Sequence, residues 1–345
     1  MRAAAPTDRE PSVVFFVLTT ARAISRRAGA RTTTMWGGDG DGEGASFRFN
    51  FGGDADADAD PSASALPGAT TSGTADVPST ADALVPASEV DPASAPDPTP
   101  GWSPETITVF DRTFVKGASS GAAARLVRGV GSDAAASDLV KGRYEGGFKL
   151  WECAEDLAAF LLRAGPDDTN LRPGARVLEL GCGHALPGLA AAASGAREVI
   201  LADYNPEVLA ALTVPNVRAN ANAGLFDPRR TSFRYLAGDW GSLVASNLLE
   251  LEFADVVLAA ETVYDASNYG KHVDALKRYV APGGVALVAA KAYYFGVGGG
   301  SRTFREALER DGSFEVDVAE EFSDGASNVR EILRARRRTF ERREL

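Results

Sequence analysis

From residue 150 onward, short apolar runs alternate with stretches whose apolar positions recur at helical spacing. LWECAEDLAAFLL (residues 150–162) carries the helical pattern, and the runs RVLEL, VILADY, FRYLAGDW, DVVLAAE and GVALVAAKAYY read as strands. Strands separated by helical segments form βαβ units and a mostly parallel sheet. Two further strands, SFEVDVAEEF and NVREILRAR, have too little between them for a crossover helix, so they predict an antiparallel hairpin at the sheet edge. Five parallel strands and this hairpin make a seven-strand, Rossmann-like α/β fold. Upstream, ITVFDRTFV (residues 107–115) alternates as a strand does, and order is expected to resume there.

Charge divides the chain further. Residues 36–100 hold twelve Asp or Glu against one basic residue, Arg48, while residues 1–35 sum to +4 and residues 101–345 to −4. A run such as DADADADPSASALPG cannot bury enough apolar area to offset the entropy of ordering it. Residues 35–100 are therefore expected to be a disordered acidic linker carrying the short motif FRFNF, and 101–345 to be the functional domain. Residues 1–34 resemble an organelle transit peptide, although Asp8 and Glu10 are atypical of one; the alternative is an upstream extension preceding Met35. The apolar run 13–18 is far shorter than the ~20 residues of a membrane span. Cys153 and Cys182 lie in no metal-binding cluster and form no disulfide framework, so no metal is expected. The near-neutral domain argues against direct reading of nucleic acid. The arginines at 334, 336, 337, 338, 342 and 343 read as a solvated last strand and tail.

The chemistry concentrates at strand ends. In VLELGCGHALPG (residues 177–188) a strand runs into a glycine turn and then a helix opening at Pro187. Gly181 and Gly183 let the backbone approach a ligand, and Leu186 stands where a dinucleotide fingerprint needs glycine. Asp203, twenty residues past Gly183, can accept both ribose hydroxyls of a nucleoside. Asp239 can take the adenine amino group and Trp240 can cover the ring, after Gly238. Glu261 and Tyr264 follow the fourth strand, where ligands gather at a switch point. A carboxylate ending an apolar strand is costly to bury without purpose, a salt bridge being the alternative. The (D/N)PP(Y/F) motif of adenine and glutamine methyltransferases is absent there. Tyr293, Tyr294 and Phe295, followed by a glycine-rich run to Gly300, predict a pocket wall with a mobile lid. His184 is expected to cap its turn or face solvent, and His272 to lie on the surface.

GRYEGGFKLWEC (142–153), VLELGCG, ADYNPEVL with TVPNVRAN, GDW, AAETVYD and KAYYFGVGGG (291–300) together resemble the protein-histidine N-methyltransferases of methyltransferase family 16. These eukaryotic enzymes modify a histidine of a large-subunit ribosomal protein. The resemblance implies an S-adenosylmethionine-dependent methyltransferase. Leu150, Trp151, Glu152 and Cys153 would close over the methionine part of the cofactor, with Gly181 and Gly183 as the glycine turn. Ala202, Asp203 and Tyr204 would form the ribose site, Gly238, Asp239 and Trp240 the adenine site, and Ala260 would stand where the family has a serine. Glu261, Tyr264 and Tyr294 would form the acceptor site. Ala185 replaces the usual glycine, which is tolerable if φ stays negative, and His184 replaces a small residue. The resemblance further implies a protein substrate, a monomer, no membrane, and residence in cytoplasm and nucleus. Two alternatives stay open: a protein-lysine methyltransferase of the same larger family, and a non-catalytic cofactor-binding ribosome-assembly factor.

Overall fold

A computed structural model describes residues 85–118 except 96, 98 and 100, then 139–246, 248–249, 253–323 and 328–339. All fall within one unit, Arg48–Leu345. The segment 1–34, the FRFNF motif, Arg342 and Arg343 lie outside the described residues.

Strand β1 (Ser88–Glu89) precedes a hairpin of β2 (Pro104–Val109) and β3 (Arg112–Gly117). Helices α1 (Glu152–Arg163) and α2 (Pro166–Thr169) lead to β4 (Arg176–Leu180), α3 (Leu186–Ala193) and β5 (Glu198–Asp203). Helix α4 (Pro206–Val208) passes through a π-helical turn (Leu209–Thr213) into α5 (Val214–Asn222). Then come β6 (Ser232–Ala237), α6 (Trp240–Ala245), β7 (Ala254–Ala260), α7 (Tyr269–Tyr279), β8 (Val280–Lys291), α8 (Ser301–Asp311), β9 (Phe314–Phe322) and β10 (Arg330–Arg337).

The main sheet runs β1-β6-β5-β4-β7-β8-β10-β9. Strands β6, β5, β4, β7 and β8 are mutually parallel, and β10 pairs antiparallel with both β8 and β9. These are the five parallel strands and the edge hairpin expected, with the later strand of the hairpin lying inside. Side chains alternate across the sheet as a pleat requires. Val177, Val199 and Leu201 face α1, α3 and α5, while Leu178, Ile200 and Ala202 face α6, α7 and α8. Helix α3 is built of Leu, Pro, Gly and Ala and lies close to the strands beneath it. A Cβ on Gly188 would stand 2.7 Å from both Glu179 Oε2 and Leu201 Cδ2.

The eighth strand revises the linker assignment. The sequence places residues 35–100 outside the fold, yet β1 pairs with β6, the Val90 amide donates to the Tyr235 carbonyl, and that of Asp239 to Val85. Composition registers apolar bulk, and this segment has little. The open edge of β6 offers backbone partners instead. ITVFDRTFV forms a hairpin in its own two-stranded sheet. It is tied to α5 by Asn216, whose Oδ1 accepts from Trp102 Nε1 at 2.9 Å and from the Gly117 amide at 2.7 Å. Asn220 bonds the amide and carbonyl of Val115. Among the described C-terminal arginines, Arg334 and Arg336 pair with Asp317, while Arg337 and Arg338 donate to backbone carbonyls. No described helix is long and apolar enough to cross a membrane.

The chain steps outward from β4 to β5 and β6, then returns to lay β7 on the other side of β4. Connections therefore part above the carboxyl ends of β4 and β7, the point where open α/β sheets hold ligands.

Candidate active site

A cavity of about 210 Å³ opens at that switch point. Its floor is the glycine turn. Gly181 (φ +68°) and Gly183 (φ +45°) are left-handed, and a Cβ on Gly183 would stand 2.8 Å from the Gly147 carbonyl oxygen. Ala185 departs from expectation: its φ is +58°, not negative. A left-handed alanine costs about 1–2 kcal/mol. It is also the N-cap of α3 and has no side chain to cap with. Glu179, on the strand below, substitutes: its buried Oε2 accepts from the Gly188 amide at 2.8 Å. Burial pushes the Glu179 carboxyl well above its usual range.

Asp203 ends β5 beside the turn, accepting from the Gly183 amide at 2.9 Å through Oδ2 and from the Asn205 amide at 3.1 Å through Oδ1. Burial raises its pKa to about 6, opposed by those amide donors. Asp239 caps α6 through the Gly241 amide and holds Lys271 Nζ at 2.8 Å with its other oxygen. Trp240 lines the cavity and meets the edge of His272, with ring centroids 4.6 Å apart. A ribose acceptor, an aromatic wall and a backbone cradle that a Cβ would fill fit S-adenosylmethionine.

The opposite wall is a strap, residues 139–151, of which Leu150 and Trp151 were singled out in the sequence. Tyr204 Oη donates to the Gly142 carbonyl at 2.9 Å, Trp151 Nε1 to that of Gly146 at 3.1 Å, and Asn205 Nδ2 to that of Arg143 at 2.7 Å. Glu145 accepts from Tyr264 Oη.

Glu261 stands past the end of β7 in a left-handed conformation, φ +57°. Its Oε2 accepts from Tyr294 Oη, and its buried Oε1 has no hydrogen-bond partner. Burial, then the Glu261 charge, pushes the Tyr294 hydroxyl and the Cys153 thiol up, so both remain neutral. The glycine-rich run after β8 is packed at its far end. Tyr294 points inward to Glu261, whereas Tyr293 and Phe295 are exposed. Gly299 donates its amide to the Tyr264 carbonyl, and a Cβ there would lie 2.3 Å from that carbonyl. Gly299 thus permits close packing against the loop after β7.

Of the residues singled out, Leu150, Trp151, Gly181, Gly183, Asp203, Tyr204, Asp239, Trp240, Ala260, Glu261 and Tyr264 line the cavity. Glu152, Cys153, Ala202, Gly238 and Tyr294 do not. Glu152 pairs with Lys291 and Arg330, Gly238 makes room for the backbone of Ala87, Tyr294 bonds Glu261, and Cys153 is buried. Both histidines depart from expectation. His184 is buried, its Nε2 is 3.1 Å from the Phe148 carbonyl, and burial lowers its pKa to about 4. His272 is wholly buried against Thr262 Oγ1, Trp240 and Phe304, with a pKa near 3. Sequence reasoning missed Glu145, Glu179, Thr262 and Lys271 as lining residues. A signal existed for Glu179, a carboxylate inside an otherwise apolar strand.

Strand order, the glycine turn and the acid ending β5 define a Rossmann-like α/β domain whose cavity fits S-adenosylmethionine. Residues 140–307 match the family model described as lysine methyltransferase, methyltransferase family 16. The chain is 39% identical over 197 residues to the histidine protein methyltransferase 1 homolog of Dictyostelium discoideum, covering 57% of this chain and 60% of that protein. It is 37% identical over 209 residues to the homolog of the same name from Rattus norvegicus, covering 55% and 56%. The chain thus spans between half and two thirds of the length of these relatives. Among solved structures it is similar to the N-methyltransferase NodS from Bradyrhizobium japonicum in complex with S-adenosyl-L-homocysteine, at 17% identity and TM-score 0.38, covering 54% and 88%.

Proposed function

We propose that the chain is an S-adenosylmethionine-dependent protein-histidine N-methyltransferase whose substrate is a large-subunit ribosomal protein, encountered in the cytoplasm and nucleus. The observation that carries the reading is Glu261: a buried carboxylate at the switch point, held by a neutral tyrosine, with one oxygen still unpartnered. The names of the curated relatives support histidine as acceptor.

When bound, the cofactor supplies an electrophilic methyl group on a sulfonium. Asp203 offers its carboxylate to the ribose hydroxyls, Trp240 covers the adenine, and the turn at Gly181 and Gly183 keeps backbone from obstructing the donor. The strap excludes water and, with the turn, fixes the approach, from which most of the rate can come. Histidine, with an ordinary pKa near ~6.5, is largely neutral at pH 7, so no strong base is required. Glu261 accepts the N–H of one imidazole nitrogen, which fixes the tautomer that leaves the lone pair on the other. The same carboxylate stabilises the positive charge that develops on the ring. The lysine reading is favoured by the family model's description. It would require Glu261 to accommodate an ammonium that must first lose a proton.

Peptide mapping of large-subunit proteins from cells with and without this chain tests the proposal. A histidine methyl group present only with the chain is the expected result; identical maps would contradict it.

A further inference from the structure

His184 lines the cavity, and nothing in the chemistry described so far uses its side chain. Its surroundings give it a role. The cavity has two walls separate in sequence, the glycine turn and the strap, and two contacts join them. One is the packing of Gly147 against Gly183, where the approach leaves no room for a Cβ. The other is the imidazole of His184, whose Nε2 is 3.1 Å from the carbonyl oxygen of Phe148. A carbonyl only accepts, so Nε2 carries the proton and donates. Nδ1 is then the bare nitrogen, and it has no hydrogen-bond partner.

The turn is held from behind as well. Asn216 Nδ2 donates to the His184 carbonyl at 3.1 Å, and Thr213 Oγ1 to that of Gly183 at 2.6 Å. Asn216 in turn accepts from Trp102 Nε1 and the Gly117 amide, which ties the turn to the β2–β3 hairpin. The turn is thus fixed on its inner side, and His184 fastens the strap to that fixed point.

We infer that His184 is a positioning residue for the cofactor: its imidazole latches the strap to the glycine turn, so that the walls stay closed over a bound nucleoside and release it slowly. The inference rests on the cofactor assignment made above. His184 is buried and stays neutral down to a pH of about 4, so the latch holds across the physiological range. Loss of one net hydrogen bond corresponds to roughly five- to tenfold in affinity.

The test is calorimetric and stopped-flow titration of the full chain, His184→Ala and His184→Gln with S-adenosylhomocysteine, paired with amide hydrogen exchange of residues 142–149 in the bound state. The expected result is five- to tenfold weaker binding by His184→Ala, arising mainly from faster dissociation, with faster exchange in the strap. His184→Gln, whose amide can donate to the same carbonyl, should recover most of the affinity. A merely structural role would lower the melting temperature of the ligand-free protein and leave the dissociation rate unchanged. Equal dissociation rates for wild type and both variants would overturn the latch alone. A wild-type chain that does not bind S-adenosylhomocysteine would overturn the cofactor assignment, and the latch with it.

Discussion

Asp203 carries two opposed demands. In the proposed cofactor site its carboxylate must be charged to accept two ribose hydroxyls, yet burial raises its pKa to about 6. Its folded pKa lies above the ordinary aspartate value, so the folded state holds the proton more tightly than the unfolded chain. The stability this confers is fully present below the unfolded pKa and is lost as pH rises through about 6. Cofactor binding follows the opposite course, weakening as pH falls through about 6. Asp203→Asn should flatten that dependence in titrations from pH 5 to 8 and weaken binding at pH 7. An unchanged pH dependence in the variant would remove Asp203 from the ribose site. Glu261 makes a separate prediction. Glu261→Gln keeps the shape and loses the charge, so turnover should fall by about a hundredfold or more while affinity for S-adenosylhomocysteine stays within about twofold. Both residues could be read from the sequence, because a charged residue ending an apolar strand has few structural reasons to be there. The left-handed backbone of Ala185 could not, since no local rule places a residue with a Cβ at positive φ. Nor could the burial of the two histidines, which depends on what packs over them from distant segments.

At the scale of elements, regular periodicity carried the central strands, the helices and the edge hairpin into the structure as expected. Strand β1 was illegible because it is held by hydrogen bonds to an open edge, and an acidic, Ala- and Pro-rich stretch shows no apolar pattern. Its position has a consequence: Gly238 (φ +134°) is shaped by the backbone of Pro86 and Ala87, immediately before Asp239. A chain starting at residue 85 should keep the melting temperature and cofactor affinity of the full sequence. One starting at residue 101 should lose several degrees and bind the cofactor more weakly, since β6 and the Asp239 amide lose their partners. Equal melting temperatures for the two, measured by scanning calorimetry, would return residues 85–100 to the linker. In the glycine loop after β8, composition does not disclose that Gly299 and Gly300 stand where side chains would collide with Tyr264, Ala292 and Tyr293.

Across the domain, the proposed cofactor elements from β4, β5, β6 and the strap and the proposed acceptor residues after β7 converge on one cavity at the switch point of the sheet, with Tyr294 from the loop after β8 bonding Glu261. Cofactor binding could be anticipated from sequence because its ligands follow consecutive strands. The acceptor side depends on Tyr294 reaching Glu261 across thirty-three positions, and that pairing exists only once β7 and β8 lie side by side. The most direct test of the account is amino-acid analysis of the product after the purified full chain has been incubated with labelled S-adenosylmethionine and large-subunit ribosomal proteins. The account predicts label in methylhistidine. Label in methyl-lysine with none in methylhistidine would contradict it.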